Sequence, residues 1–171
     1  MFSPDPKPTS RTSPLSPAVK RVRAVDPSAV ARKLAAERVA ASTVPVEYIG
    51  ADAQALPLAD ASVDHVVSIL TLCTIPAVDR ALAEIRRVLR PGGAFHFMEH
   101  GLSPDEAVAR WQHRLTPLQR RVFGGCHIDR PIGRLVADAG LELTRLDNFY
   151  LKGPRAFGYM FDGVATKPGG P

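Results

Sequence analysis

The chain has 171 residues, of which 45% are hydrophobic and 23% are charged, and this size and composition are typical of one globular domain. Its formal net charge of +5 does not predict a nucleic-acid partner, because the basic residues, Arg87 and Arg90 among them, are better interpreted as solvated helix faces than as one binding patch. The sequence has no apolar run of the roughly 18 residues that span a membrane, and it shows no secretory leader. Its two cysteines form neither a disulfide framework nor a CxxC metal motif. We therefore predict a reduced, cytoplasmic protein.

The first 18 residues are rich in proline, serine and threonine and contain almost nothing apolar to bury. Such a segment cannot compensate for the conformational entropy that is lost on ordering. We therefore predict that residues 1–18 are disordered and that residues 19–171 form the folded domain.

The segments that follow alternate between strand and helix patterns. The stretch "VKRVRAVDPS" contains a short strand that ends at Asp26, and residues 28–42 form a helix with Ser28 as its N-cap. The stretch "VEYIGADA" is a strand that runs into a loop, and "HVVSILTL" is a continuous apolar run, as expected of a strand buried on both faces. This alternation with short links predicts an open α/β sheet with parallel strands and crossover helices.

The central stretch "RVLRPGGAFHFMEH" ends a helix and starts the next strand. Pro91 is expected to end the helix because it has no backbone N–H to donate, and Gly92 and Gly93 are expected to supply the positive φ of a tight return to the sheet. Glu99 and His100 then lie at the carboxyl end of the strand, where open α/β sheets place ligand chemistry.

The last third of the chain changes its pattern. The stretch "RPIGRLVADAG" predicts a helix closed by Gly140. The stretches "LELTRLDNFYL" and "FGYMFDGVATK" follow with no predicted helix between them, so they are expected to pair as antiparallel strands at the edge of the sheet.

The ordered series "AVDPS", "GADAQALPLADASVDHVVS", "EIRRVLRPGGAFHFMEH" and "LVADAGLEL" resembles the class I S-adenosylmethionine-dependent methyltransferases of type 11, the ubiquinone/menaquinone branch. The series "LCTI", "RVLRPGGAFHFMEH", Trp111 and "GCHIDR" is further similar to microsomal-type thiol methyltransferases. The resemblance covers residues 19–167. It implies a Rossmann-like methyltransferase sheet with an antiparallel C-terminal edge, S-adenosylmethionine as methyl donor, and a small-molecule acceptor.

The resemblance also implies roles for particular residues. Asp26 matches the carboxylate that accepts both ribose hydroxyls, Asp52 and Ala53 match the loop that contacts adenine, and Thr71 and Leu72 match the methionine side of the pocket. Simpler interpretations remain open, because the segment at Asp26 could merely cap a helix and Asp52 could form an Asx-turn.

The glycine-rich motif of the family is missing, since nothing like G-x-G-x-G precedes Asp26. In the family that motif follows a first strand that lies centrally in the sheet. We expect either that the strands flanking this position close up against each other or that the N-terminal βαβ segment packs loosely, with weakened cofactor binding in both cases. A truncated reading frame, a wrongly assigned start or a decayed gene copy would each explain the pattern.

Several other residues are weaker candidates. His100 is the best candidate for a general base because it lies at a strand end and histidine is the side chain that changes charge near neutral pH, although a hydrogen-bonded loop histidine is the simpler interpretation. His96, His100, Cys126 and His127 match no zinc template, so no metal site is predicted. Cys126 and His127 could line an acceptor pocket with Trp111 or serve only in packing.

Two other kinds of protein compete with a methyltransferase. A non-catalytic remnant or interaction module is favoured by the missing glycine motif. A nicotinamide-dependent oxidoreductase also uses an acidic residue after its second strand, but it requires a GxGxxG before that residue, which is missing here. The acceptor atom and the oligomeric state are left open by the sequence.

Overall fold

The computed structural model describes residues 18–169, so almost all of the segment predicted to be disordered, 1–18, lies outside the described residues. The chain divides into two compact units, the first ending at Asp52 and the second starting at Ala53. The predicted domain boundary near residue 19 stays a prediction.

The first unit is a strand–helix–strand segment. Strand β1 (Val22–Val25) and strand β2 (Val46–Gly50) pair in parallel, and helix α1 (Ala29–Ala40) connects them. The hydroxyl oxygen of Ser28 accepts a hydrogen bond from the backbone N–H of Ala31 at 3.1 Å, which satisfies one of the free donors of the first helical turn. The predicted strand, N-cap, helix and second strand are therefore confirmed.

The second unit is a four-stranded mixed sheet with helices. Its elements are β3 (Val63–Ile69), α2 (Val78–Val88), β4 (Leu89–His100), α3 (Glu106–Val122), α4 (Ile132–Asp138), β5 (Glu142–Tyr150), α5 (Arg155–Gly158) and β6 (Tyr159–Thr166). The strand order is β3-β4-β6-β5; β3 and β4 are parallel, whereas β6 runs antiparallel to both of its neighbours. The antiparallel C-terminal edge is confirmed, and the short helix α5 between its two strands was not predicted.

Helix α2 supplies one wall of the main core. Its apolar residues recur at helical spacing, and Ala81, Leu82 and Ile85 are buried. Leu82 and Ile85 belong to the same apolar cluster as Phe95 and Phe97 of β4, whose inward-facing residues alternate with more exposed ones. The core of the second unit therefore lies between the sheet and helices α2 and α4.

Strand β3 corrects the prediction of a strand that is buried on both faces. Within its sheet β3 is an edge strand, and the side chains of Val67 and Ile69 are 65% and 56% exposed, whereas Ser68 between them is buried. An apolar run alone does not distinguish these cases, because burial depends on what covers the second face.

The strands that flank the missing position are β1 and β3. Among the described residues β1 pairs with β2 and β3 pairs with β4, in separate sheets. The two arrangements expected at the missing position stay predictions.

The turn between α2 and β4 corrects two details. Helix α2 already ends at Val88, and Leu89 is extended, with φ −63° and ψ 136°. Pro91 disfavours a helical conformation for the residue before it, but it does not mark the helix end itself. Gly92 has the predicted positive φ of 75°.

Gly93 is needed for a different reason from the one predicted, because it is not among the residues with positive φ. A Cβ atom at this position would lie 2.9 Å from the carbonyl oxygen of Arg90 and 3.0 Å from that of Asp64. The backbone therefore approaches Gly93 too closely for any side chain.

Arg87 corrects the interpretation of a solvated helix face. Its guanidinium pairs with Glu84 at 2.7 Å and with Asp60 at 2.7 Å, and it also donates to the carbonyl oxygens of Leu56 and Leu58. The carboxylates of Glu84 and Asp60 raise the pKa of Arg87. The side chain therefore fastens the connector before β3 onto α2. Arg90 lies in β4, beyond the end of the helix, and forms an exposed ion pair with Asp64.

Two histidines face each other across β3 and β4. The Nδ1 atom of His65 lies 3.2 Å from the Nε2 atom of His96, and one nitrogen of the pair must be an unprotonated acceptor. Burial lowers the pKa of His96, and the nearby charges of His65 and Arg145 lower it further.

We expect Gly93→Ala to lower the free energy of unfolding by about 1–3 kcal/mol, because the new methyl group overlaps two backbone carbonyls that cannot move independently. Urea denaturation of the full chain measures this effect. Gly169→Ala is the matched control, since a Cβ there meets nothing within 4 Å, and it should change the value by less than about 0.5 kcal/mol. Equal effects in both variants would contradict the close approach at Gly93.

We expect the stability of the chain to fall as the pH drops below the ordinary histidine pKa of about 6.5. Because the pKa of His96 is lowered in the folded state, the unfolded chain binds more protons in this range, and acid shifts the equilibrium towards it. Comparing urea midpoints at about pH 7.5 and about pH 5.5 tests this, and His96→Asn should reduce the difference. An unchanged difference in the variant would show that other groups cause it.

Candidate functional site

The buried carboxylate of Glu99 organises the carboxyl end of β3 and β4. It is 0% exposed, and its Oε1 atom accepts hydrogen bonds from the hydroxyl of Ser68 at 2.7 Å and from the backbone N–H groups of Thr71 at 3.0 Å and Leu72 at 3.1 Å. Its Oε2 atom accepts from the N–H of Cys73 at 3.2 Å. Four donors thus compensate the buried charge, which holds residues 71–73 against the end of β4.

The segment after β3 adopts an unusual backbone path to reach Glu99. Leu70 has a positive φ of 51°, which is uncommon for a residue other than glycine, and its N–H still donates to Met98 of β4 at 2.9 Å. The carbonyl oxygen of Thr71 then accepts from the N–H groups of Thr74 and Ile75. Residues 71–75 therefore form one helical turn whose first N–H groups surround a carboxylate, as helix N-termini surround anions.

The predicted residues Thr71 and Leu72 both belong to this turn. Thr71 is exposed, and its hydroxyl donates to the carbonyl oxygen of Ile69 at 3.0 Å. The side chain of Leu72 is buried in the main core, and its carbonyl oxygen accepts a hydrogen bond from Arg130. Thr71 thus presents its side chain at the end of the sheet, while Leu72 offers mainly backbone.

The predicted residues Asp26 and Asp52 lie in the first unit. They follow β1 and β2, and since these strands are parallel, both carboxylates lie beyond the same edge of the two-stranded sheet. The Oδ1 atom of Asp26 accepts from the N–H of Ser28 at 2.7 Å, which is the local turn that competed with a cofactor role in the sequence. Asp52 is exposed, and Ala53, the first residue of the second unit, is half-buried.

Sequence reasoning missed a cluster formed by Cys73, His100 and Cys126. The Cys126 Sγ atom lies 3.9 Å from the His100 Nδ1 atom, and one ligand atom from each of the three residues lies within 4.8 Å of the others. Both thiols are buried and free. A hydrogen bond from Cys73 and the nearby imidazole of His100 lower the pKa of Cys126, whereas the same hydrogen bond and burial raise the pKa of Cys73.

The sequence contains one weak signal for this cluster. Cys73 follows the end of one predicted strand, and His100 ends the next predicted strand, so parallel pairing alone would bring them to the same edge. Cys126 has no such signal, because its place depends on the path of the chain after α3. The other residue suggested for an acceptor pocket, Trp111, is 57% exposed on α3, with the guanidinium of Arg114 5.7 Å from its ring centre.

We expect Glu99→Gln to lower the free energy of unfolding by about 1–3 kcal/mol, because the amide NH₂ group meets backbone N–H donors and leaves at least one of them without an acceptor. Urea denaturation followed by circular dichroism measures the loss. Glu142→Gln, at an exposed position on β5, is the control and should stay within about 0.5 kcal/mol of the unaltered chain. A Glu99→Gln variant as stable as this control would contradict the bracing role of the carboxylate.

Comparison with known proteins identifies the family. A family model described as a methyltransferase domain matches residues 9–97. Thiol S-methyltransferase TMT1A from Homo sapiens is 37% identical over 109 residues, which are 60% of this chain and 45% of that protein. The chain spans less than half the length of the curated relatives that it matches.

Solved structures show the same fold. A SAM-dependent methyltransferase from Methanosarcina mazei matches with a TM-score of 0.68 at 19% identity, covering 88% of this chain and 83% of that one. A geranyl diphosphate methyltransferase in complex with SAM matches with a TM-score of 0.67 at 15% identity, covering 86% of this chain and 68% of that one. The Rossmann-like methyltransferase sheet predicted from the sequence is confirmed.

Family and fold agree with each other, and together they support S-adenosylmethionine as the cofactor. Since the family model matches more than half of the sequence, the chain belongs to the class I S-adenosylmethionine-dependent methyltransferases.

Proposed function

We propose that this chain transfers a methyl group from S-adenosylmethionine to a small-molecule acceptor. The observation that carries the proposal is the turn at residues 71–73, which Glu99 fixes at the carboxyl end of β3 beside β4. Open α/β sheets bind their ligands at this edge. The family of the chain supplies the reaction type.

The residues proposed to hold the cofactor fit its chemistry. A carboxylate has lone pairs for several donors, so Asp26 can accept ribose hydroxyls while it keeps its bond to the N–H of Ser28. Asp52 and Ala53 would contact adenine through a carboxylate and a backbone N–H. Thr71 and the backbone of Leu72 would contact the methionine part.

A thiol is the acceptor class we favour, because the human relative is named a thiol S-methyltransferase. In such a transfer the acceptor sulfur attacks the methyl carbon, the bond between that carbon and the sulfonium sulfur breaks, and S-adenosylhomocysteine leaves. The thiol proton must pass to a base or to solvent. The protein contributes mainly by aligning the two sulfur atoms with the methyl carbon between them.

His100 remains the candidate for the proton acceptor. It ends β4 next to Glu99, and its Nδ1 atom is close to Cys126. Imidazole is the side chain that most often serves as a general base in proteins.

The alternative is a non-catalytic remnant of the methyltransferase fold. The sequence favours it through the lack of G-x-G-x-G before Asp26, and impaired cofactor binding would follow from that lack.

A cytoplasmic location stays a prediction from composition. Within residues 18–169, no helix combines the length and the apolar character that crossing a membrane requires.

We expect S-adenosylhomocysteine to bind the full chain, and Asp26→Asn to weaken binding about 10- to 100-fold, because a charge-assisted hydrogen bond to the ribose is lost. The asparagine oxygen can still accept from Ser28, so the local turn survives in this variant. Isothermal titration calorimetry measures both affinities. Glu37→Ala, at an exposed position on α1, is the matched control and should bind like the unaltered chain.

The outcomes separate the two functions. Binding that Asp26→Asn weakens and Glu37→Ala leaves intact supports the methyltransferase, and a labelled methyl group should then pass to a short alkyl thiol but not to the alcohol with the same carbon skeleton. A chain that unfolds cooperatively yet does not bind S-adenosylhomocysteine is the remnant. Equal binding by all three proteins would place the ribose elsewhere than at Asp26.

A further inference from the structure

We propose that Cys73, His100 and Cys126 bind one Zn²⁺ ion at the carboxyl end of the four-stranded sheet. The cluster lies entirely within the second unit, and the residues come from three separate segments of the chain. The sequence had predicted no metal site, because no spacing template for zinc links these residues.

The distances fit a tetrahedral ion. Typical zinc–sulfur and zinc–nitrogen bond lengths place two ligand atoms of one ion about 3.6 Å apart for a sulfur and a nitrogen, and about 3.8 Å apart for two sulfurs. The Cys126 Sγ and His100 Nδ1 atoms are 3.9 Å apart, and all three ligand atoms lie within 4.8 Å of one another. Small side-chain rotations therefore suffice to close the site around an ion.

The backbone already holds the three ligands together. Glu99 fixes the N–H of Cys73, and His100 is the last residue of β4. The loop after α3 docks onto the same turn, since the N–H of His127 donates to the carbonyl oxygen of Cys73 at 2.7 Å. The Nδ1 atom of His127 lies 3.2 Å from that oxygen as well.

The loop that carries Cys126 has little freedom to move away. Gly124 and Gly125 have positive φ values of 60° and 88°, which turn the chain sharply after α3. A Cβ atom at Gly125 would lie 3.3 Å from the carbonyl oxygen of Thr74, so the loop packs closely on the turn that carries Cys73. A preorganised site of this kind loses little entropy when it takes up an ion.

The ligand types select the metal. Two thiolates and an imidazole suit zinc, whereas magnesium and calcium prefer oxygen ligands. The nearby carboxylate of Glu99 is not needed as a ligand, because four donors already occupy it. The negative charges of the two thiolates and the Glu99 carboxylate equal the positive charges of Zn²⁺ and the Arg130 guanidinium, so the charges of the site cancel.

Three protein ligands leave one position of a tetrahedral ion open, as in catalytic zinc sites. A thiol that binds there gives its proton to solvent and becomes a thiolate, so no separate base is required. This role for the open position rests on the proposed methyl transfer to a thiol, whereas zinc binding itself does not. His100 would then act as a ligand and not as a general base.

The test uses the reduced, metal-free full chain under argon. Titration with zinc chloride by calorimetry should show one equivalent bound, with protons released to the buffer because the cysteines bind as thiolates. Titration with Co²⁺ should give a sulfur-to-cobalt charge-transfer band and the visible bands of a tetrahedral ion. Addition of ethanethiol should shift these bands, whereas ethanol should not.

Single variants identify the ligands. Cys73→Ser, Cys126→Ser and His100→Asn should each weaken zinc at least about 100-fold, since loss of a ligand costs more than loss of an outer-shell contact. His96→Asn is the matched control, because His96 lies on the same strand and its pair with His65 is the competing imidazole site. This control should keep one equivalent and the charge-transfer band.

The results decide the proposal even if a cysteine variant fails to fold, because the cobalt spectrum of the unaltered chain reports thiolate ligation by itself. No bound equivalent, a spectrum without the charge-transfer band, or binding that only His96→Asn abolishes would each overturn the site. Zinc binding without a shift on ethanethiol would overturn the role of the open position. Binding of S-adenosylhomocysteine is measured separately, so a failure here and a failure of methyl transfer are distinguishable.

Discussion

The hydrogen bonds from the turn at residues 71–73 to the buried carboxylate of Glu99 are the interaction on which the functional edge of this protein depends. A carboxylate with no exposure to solvent is costly unless donors surround it, and Ser68 and three consecutive N–H groups meet that requirement. The same bonds compensate for the uncommon positive φ of Leu70. One side chain on β4 therefore sets the path of the chain beyond β3.

The segment fixed in this way serves the core and the site together. Leu72 packs into the main core, its carbonyl oxygen binds Arg130, and the carbonyl oxygen of Cys73 binds the loop that carries Cys126. Stability and chemistry thus share the same residues, so a change at Glu99 disturbs both. Gly93, by contrast, lies near the start of β4, at the end of the strand opposite to Glu99.

Periodicity and turn chemistry predicted most of the fold, because each of these signals is local. Four features follow from a few neighbouring residues each: the N-cap Ser28, the buried face of α2, the positive φ of Gly92 and the antiparallel final strands. Other features depend on segments distant in sequence. These are the exposure of β3, the need for glycine at position 93, the bonds of Arg87 to the connector and the approach of Cys126 to Cys73. No local pattern encodes such contacts, and most of the wrong predictions are of this kind. The helix end, which lies at Val88 and not at Pro91, is a local exception.

The two proposed binding chemistries depend on different parts of the chain. The carboxylates of Asp26 and Asp52 belong to the first unit. A carboxylate accepts hydrogen bonds from the hydroxyl and amine groups of a ligand. The thiols and the imidazole of the zinc site belong to the second unit, where Glu99 braces them. Since the second unit contains its own core and its own sheet, the zinc ligands do not require the first unit for their geometry. A chain that had lost cofactor binding would therefore still hold the proposed zinc ion.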